Sequence, residues 1–191
     1  MTVEDNTKVE VRSLVGHSTG YVIPELHIKR HFEPFETKRV EAGELRELHY
    51  RKGGRIILHE YLSVQNDELR HEFDIPSDQV EYDWTEQDIR DLLLNGDEDA
   101  LRDAIDFGPA GVVEQIKRTA FELKIPDVNK REIIKDMTGT DVNKQIELKK
   151  EEELRLAESR GETSGDKETK QRRHSNEEPT KRRRRVAQKT E

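Results

Sequence analysis

The feature that most limits what this chain can fold into is where its apolar residues stop. From residue 151 to 191 only Leu154, Leu156, Ala157, Val186 and Ala187 are apolar, and no residue is aromatic. Such a segment cannot bury enough apolar surface to offset the entropy of ordering it, so a disordered charged tail is expected over 151–191. A foldable unit has to come from residues 1–150. Charge divides at the same place. The tail carries 12 Lys and Arg against 10 Asp and Glu, a net of +2, which leaves 22 basic and 32 acidic residues and a net of −10 in 1–150. A body this acidic is not built to coat nucleic acid non-specifically.

Within the body the punctuation changes near residue 80. Val9-Glu-Val11-Arg alternates as a half-buried strand, and Gly16 to Gly20 is turn chemistry. Tyr21-Val-Ile23 is a second extended piece, ended by Pro24, which cannot donate to a ladder. Leu26, Ile28 and Arg30 share one face of a third, with His27, Lys29 and His31 on the other. Leu45, Leu48 and His49 are spaced for a helix over Glu41 to Tyr50 that stops at Gly53-Gly54. Arg55 to Val64, the most apolar run of the chain, reads as a strong strand. Residues 1–80 are therefore expected to form an α+β module, a short helix across a small antiparallel sheet of three or four strands.

Residues 81–150 read as a bundle of short helices with clear stops. Thr85 and Asp88 fit a capping box, and Gly96 closes that helix. Asp97 opens a second, with Leu101, Ala104, Ile105 and Phe107 inward, ended by Gly108. Pro109 suits the first position of a third helix that buries Val112, Val113, Ile116, Ala120 and Leu123 and ends before Pro126. Asp127 caps a fourth with Ile133, Ile134 and Met137, closed by Gly139, and Thr140-Asp141 begins a fifth with Val142 and Ile146 inward. Helices this short are marginal alone and must pack together. Trp84 stands before the first of them as an anchor to bundle or sheet.

Chemistry-bearing motifs are few. Cysteine is absent, which removes disulfides, thiolate zinc sites and a cysteine nucleophile. No segment approaches the roughly 18 apolar residues of a membrane span, and the first residues lack signal-peptide order, so an intracellular, soluble chain with no membrane partner is expected. His27 and His31, four apart, are conceivable as a metal pair, but solvent-facing positions of an amphipathic strand explain them and no third ligand stands out. Phe107-Gly-Pro-Ala-Gly111 places two glycines before a helix start, where a phosphate could sit, yet it lacks the Lys-Ser/Thr of a P-loop and a helix-to-helix turn accounts for it. Acid runs such as Asp97-Glu-Asp99 fit helix-start charges. No serine couples to a histidine and an acid at a known spacing. No catalytic residue, metal site or cofactor is assigned, and a non-enzymatic protein is expected.

The tail holds two basic clusters, Lys170, Arg172 and Arg173, then Lys181, Arg182, Arg183, Arg184 and Arg185. Three roles fit them: phosphate neutralisation on DNA or RNA, a nuclear address if the source or host is eukaryotic, or solubilisation and docking on acidic faces of partner copies. With no aromatic residue interleaved, any nucleic-acid contact would be electrostatic and blind to sequence.

Several segments occur in a suggestive order: Val9-Glu-Val-Arg-Ser-Leu-Val15, Ile23-Pro-Glu-Leu-His-Ile-Lys-Arg30, Glu44-Leu-Arg-Glu-Leu-His-Tyr50, Ile56-Ile-Leu58, Lys130-Arg-Glu-Ile-Ile-Lys135 and Thr138-Gly-Thr-Asp-Val142. Over about residues 9–146 this resembles a group of small, mostly uncharacterised proteins of tailed bacteriophages. The chain departs from them in having Ser63 where an acid pair follows the strand, and in its charged tail. The resemblance implies a virion or assembly component, located in the virion or host cytoplasm, whose partners are other virion or assembly proteins or further copies of itself. The alternative is a nucleic-acid-binding accessory or regulatory protein acting through the basic tail.

Overall fold

The computed structural model describes residues 3–159. The fold is α+β, a small antiparallel sheet near the N-terminus followed by short helices. Strand β1 (Lys8–Ser13) alternates as its sequence demands, with Val9, Val11 and Ser13 inward. It is the middle strand of three, antiparallel to β4 (Thr37–Glu41) on one side and β5 (Leu62–Val64) on the other. The register sets Val9 opposite Val40 and Val11 opposite Val64. Strands β2 (Thr19–Ile23) and β3 (Ile28–Phe32) form a separate hairpin, joined by a 3-10 turn at Pro24–Leu26. Tyr21 pairs with Arg30, and Ile23 with Ile28. Leu26 belongs to the turn, not to the third strand, and is exposed.

Helix α1 (Ala42–Tyr50) follows β4 directly and buries Ala42, Glu44, Leu45 and Leu48. The strand expected over Arg55 to Val64 is corrected. Only Leu62–Val64 is extended; Gly54–Ile56 is a helical turn (α2) and Ile57–Tyr61 a π-helical one. Gly53, at φ +83°, reverses the chain after α1, a conformation that glycine adopts without the steric cost of a Cβ. A Cβ on Gly54 would lie 1.6 Å from the Leu48 carbonyl oxygen, so the turn stays pressed on α1. Leu58 and Leu62, both without exposed surface, are four apart, which is a helix spacing, and Ile56 is 59% exposed. A short apolar run does not distinguish the two periods by itself.

Helix α3 (Asp67–Glu72) is capped by Asn66, whose side chain accepts from Leu69 N–H at 2.9 Å. A 3-10 turn at Val80–Asp83 leads into α4 (Glu86–Asn95), where the Thr85–Asp88 capping box is complete. Then come α5 (Glu98–Phe107), capped by Asp97, α6 (Ala110–Glu122), α7 (Val128–Thr138), capped by Asp127 and closed by Gly139 at φ +71°, and α8 (Val142–Ser159). Pro109 stands one position earlier than expected, as the N-cap of α6. Val113 and Leu123 are half-buried rather than buried. α5 packs on α7, α4 on α6, and α6 on the π-helical turn.

Residues Met1–Glu147 form one compact unit. Both stretches of the body, 1–80 and 81–150, feed a single apolar cluster that runs from Val9, Leu45 and Leu62 to Ile89, Leu101, Ile116 and Ile146. Leu148–Glu191 is a second unit, of which residues 148–159 are described. The tail assigned from residue 151 begins with helix: 151–159 are the last turns of α8, where Glu, Leu and Arg are good helix formers. Leu154 and Leu156 are exposed there. Among the described residues no helix is long and apolar enough to cross a membrane.

Candidate functional site

The basic residues singled out in the tail, Lys170, Arg172, Arg173 and Lys181 through Arg185, lie outside the described residues. The other motifs resolve into structure. His27 is in the left-handed region (φ 54°), closing the 3-10 turn with its N–H on the Pro24 carbonyl, so it never enters the strand that His31 occupies. His31 Nε2 lies 3.0 Å from Glu33 Oε1. Among the described residues no group of three His, Asp or Glu is placed to hold a metal. At the start of α6 the anion position is already taken: Ala110 N–H donates to Glu60 Oε2 at 2.6 Å. Gly111 is there for packing, since a Cβ would stand 2.7 Å from the Glu60 carbonyl oxygen and 3.1 Å from Leu14.

Among the described residues three charged side chains are buried, Glu44, Arg70 and Lys130. Glu44 Oε1 accepts from the Tyr21 hydroxyl (2.6 Å) and Arg30 Nε (2.8 Å), and Oε2 accepts from Arg30 Nη2 (2.8 Å), which clamps the β2–β3 hairpin to α1. Burial, then the bond to Glu44, pushes the Tyr21 phenol well up. Arg70 donates Nε to the Val64 carbonyl (2.5 Å) and forks onto Asp83, with Nη1 to Oδ2 at 2.8 Å, while its guanidinium lies 4.8 Å over the Tyr82 ring. This fork holds the Asp83 carboxyl below the usual range, with help from Gln65 and Ser63. Ser63 Oγ thus meets Asp83 Oδ1 at 3.3 Å. The Tyr82 hydroxyl lies 2.8 Å from the Leu58 and Leu62 carbonyls and accepts from Val64 N–H, serving backbone groups around the π-helical turn. Lys130 Nζ donates to the Leu92 and Leu93 carbonyls (3.2 and 2.9 Å), closing the C-terminus of α4.

The surface offers a groove of about 380 Å³ lined by Pro76, Asp78, Gln79, Glu81, Asp103 and Phe107. Every charge in that lining is negative. Phe107, expected inward, is 65% exposed, because it is the last residue of α5 and the helix runs past the core before Gly108 turns the chain. The Gln79 side-chain amide holds the Phe107 carbonyl, tying the loop after α3 to the end of α5. Val80, between two lining residues, is 67% exposed. The carboxylates Asp78, Glu81 and Asp103 were not singled out in the sequence. Their types are ordinary for so acidic a body, and only the loop-to-helix contact brings them together.

No family model matches the chain, and neither does any curated protein or solved structure.

Proposed function

We propose that this chain is a non-enzymatic interaction protein, a virion or assembly component of a tailed bacteriophage, with an acidic folded body and a cationic C-terminal segment. The observation that carries this reading is how the body uses its buried charge. Glu44, Arg70 and Lys130 are each held by protein groups that fix a hairpin, a strand end and a helix end. Charge of that kind fixes the body's own elements to one another, as a docking body requires. The ordered resemblance over residues 9–146 supports the phage assignment. Quantitative mass spectrometry of purified, nuclease-treated particles from the source phage tests it. Tens or hundreds of copies per particle are expected; good expression in infected cells with none in particles or their precursors refutes it.

A second reading, a nucleic-acid-binding accessory or regulatory protein, rests on Lys181–Arg185 and the nearby Lys170, Arg172 and Arg173. Here the full chain binds duplex DNA with a log–log salt slope of about −0.9 per phosphate neutralised. Removing residues 160–191 abolishes that binding. Equal binding by the shortened chain refutes the role of these residues.

A further inference from the structure

We propose that the groove between the loop after α3 and the end of α5 is the docking site for the Lys181–Arg185 run of a second copy of this chain. The inference rests on the reading of the chain as an interaction protein and names its partner. The groove combines two features that an arginine-rich segment matches at once. Phe107 and Pro76 line it as exposed apolar residues, and Asp78, Glu81 and Asp103 supply its charge. A guanidinium stacks its plane on an aromatic face while its N–H fork pairs with a carboxylate, which an ammonium does less well. The run contains four arginines and one lysine, a charge of +5, against a body of net −10. The groove is also within the size range of pockets that bury small ligands or side-chain clusters.

Each copy carries both halves of this contact, groove and run. The contact is therefore heterologous, head to tail, and it extends to further copies until a ring closes. A component that joins others of its kind through such a contact adds copies without an additional adaptor. Its strength depends on opposite charges at a solvent-facing site, so it weakens steeply with salt.

Sedimentation velocity of the nuclease-treated full chain tests the proposal. At about 50 mM salt the chain self-associates with rising concentration, and at about 500 mM it is monomeric. Two full-length variants separate the halves. One neutralises the groove (Asp78→Asn, Glu81→Gln, Asp103→Asn), and the other neutralises the run (Arg182→Gln, Arg183→Gln, Arg184→Gln, Arg185→Gln). Each alone is monomeric at low salt. Mixed, they form a complex that stops at one copy of each, because only one groove and one run remain. Phe107→Ala, or arginine to lysine throughout the run, weakens wild-type association about tenfold through loss of stacking. The lysine variant leaves the body untouched and serves as the readout if a groove variant misfolds. A chain that stays monomeric at low salt overturns the proposal; so do groove variants that associate like wild type, or a mixture that remains monomeric. A run that engages its own body, or nucleic acid alone, gives the monomeric result. Particle copy number is measured independently, so the self-docking can fail while the assembly role stands.

Discussion

Glu44 sits on the first helix with its side chain almost fully covered, and three donors from the neighbouring hairpin satisfy it. Removing one partner of a buried pair costs more than the pair contributes, because the remaining group keeps its desolvation penalty. Arg30 retains some solvent access, which moderates the loss. Glu44→Leu is expected to lower stability by about 2 kcal/mol in urea denaturation, and Tyr21→Phe is expected to be non-additive with it. An additive pair would show that the hydroxyl and the carboxylate act separately. His49 provides a pH prediction. Burial holds it below the ordinary 6.5, with Arg55 and His59 pushing the same way and Asp74 opposing; its ring stacks on Phe73 at 5.0 Å. The folded protein therefore binds this proton at lower pH than the unfolded chain does. Its contribution to stability is complete above the unfolded value and is lost as pH falls below it toward the folded one. Denaturation midpoints at pH 7.5 and 5.5 should differ less in His49→Phe, which keeps the ring stack, than in wild type. An unchanged difference would remove His49 from the account.

At the scale of elements, the sixth helix begins on a residue fifty positions earlier in the chain. Glu60 takes the Ala110 N–H, and Gly111 lets the helix approach the π-helical turn. Glu60→Ala leaves a helix-end donor without its acceptor and is expected to cost about 1 kcal/mol. Gly111→Ala forces a methyl against the Glu60 carbonyl and Leu14 and is expected to cost about 2 kcal/mol. Guanidinium denaturation of both variants checks the order; a neutral Gly111→Ala would mean the turn gives way easily. The helices after residue 84 were legible because their signals are local. Thr85 with Asp88, Asp97, Asp127 and Gly139 satisfy end groups three or four residues away. The fourth strand was not legible. Thr-Lys-Arg-Val-Glu has one apolar residue, and it is a strand because Val40 meets Val9 across the ladder.

For the whole molecule, the two stretches that composition and punctuation divide near residue 80 share one core. Residues 1–147 should then unfold in one cooperative step. Trp84, the chain's single tryptophan, lies at the junction with its backbone carbonyl 3.2 Å from Arg12 Nη2, and it reports directly. Tryptophan fluorescence and far-UV circular dichroism are expected to give coincident transitions in the full chain. Two separated transitions would show that the sheet and the helices are independent. The proposed pairing of the cationic run with the acid-lined groove also belongs to this scale, because it concerns copies rather than residues.

By itself the sequence determined the α+β class, the three extended pieces that open the chain, most helix boundaries and the split of charge between body and C-terminal segment. All of these follow from interactions within about four residues or from composition alone. Tertiary structure decided what depends on distant partners. It turned the apolar run after Gly54 into helical turns under α1, paired β4 with β1, and left Phe107 at the surface beside Asp78 and Asp103. The reason is that packing selects between local alternatives of similar energy. A run such as Ile56-Ile-Leu58 accepts either period until Leu48, Tyr82 and Gly111 choose the one that fills the core.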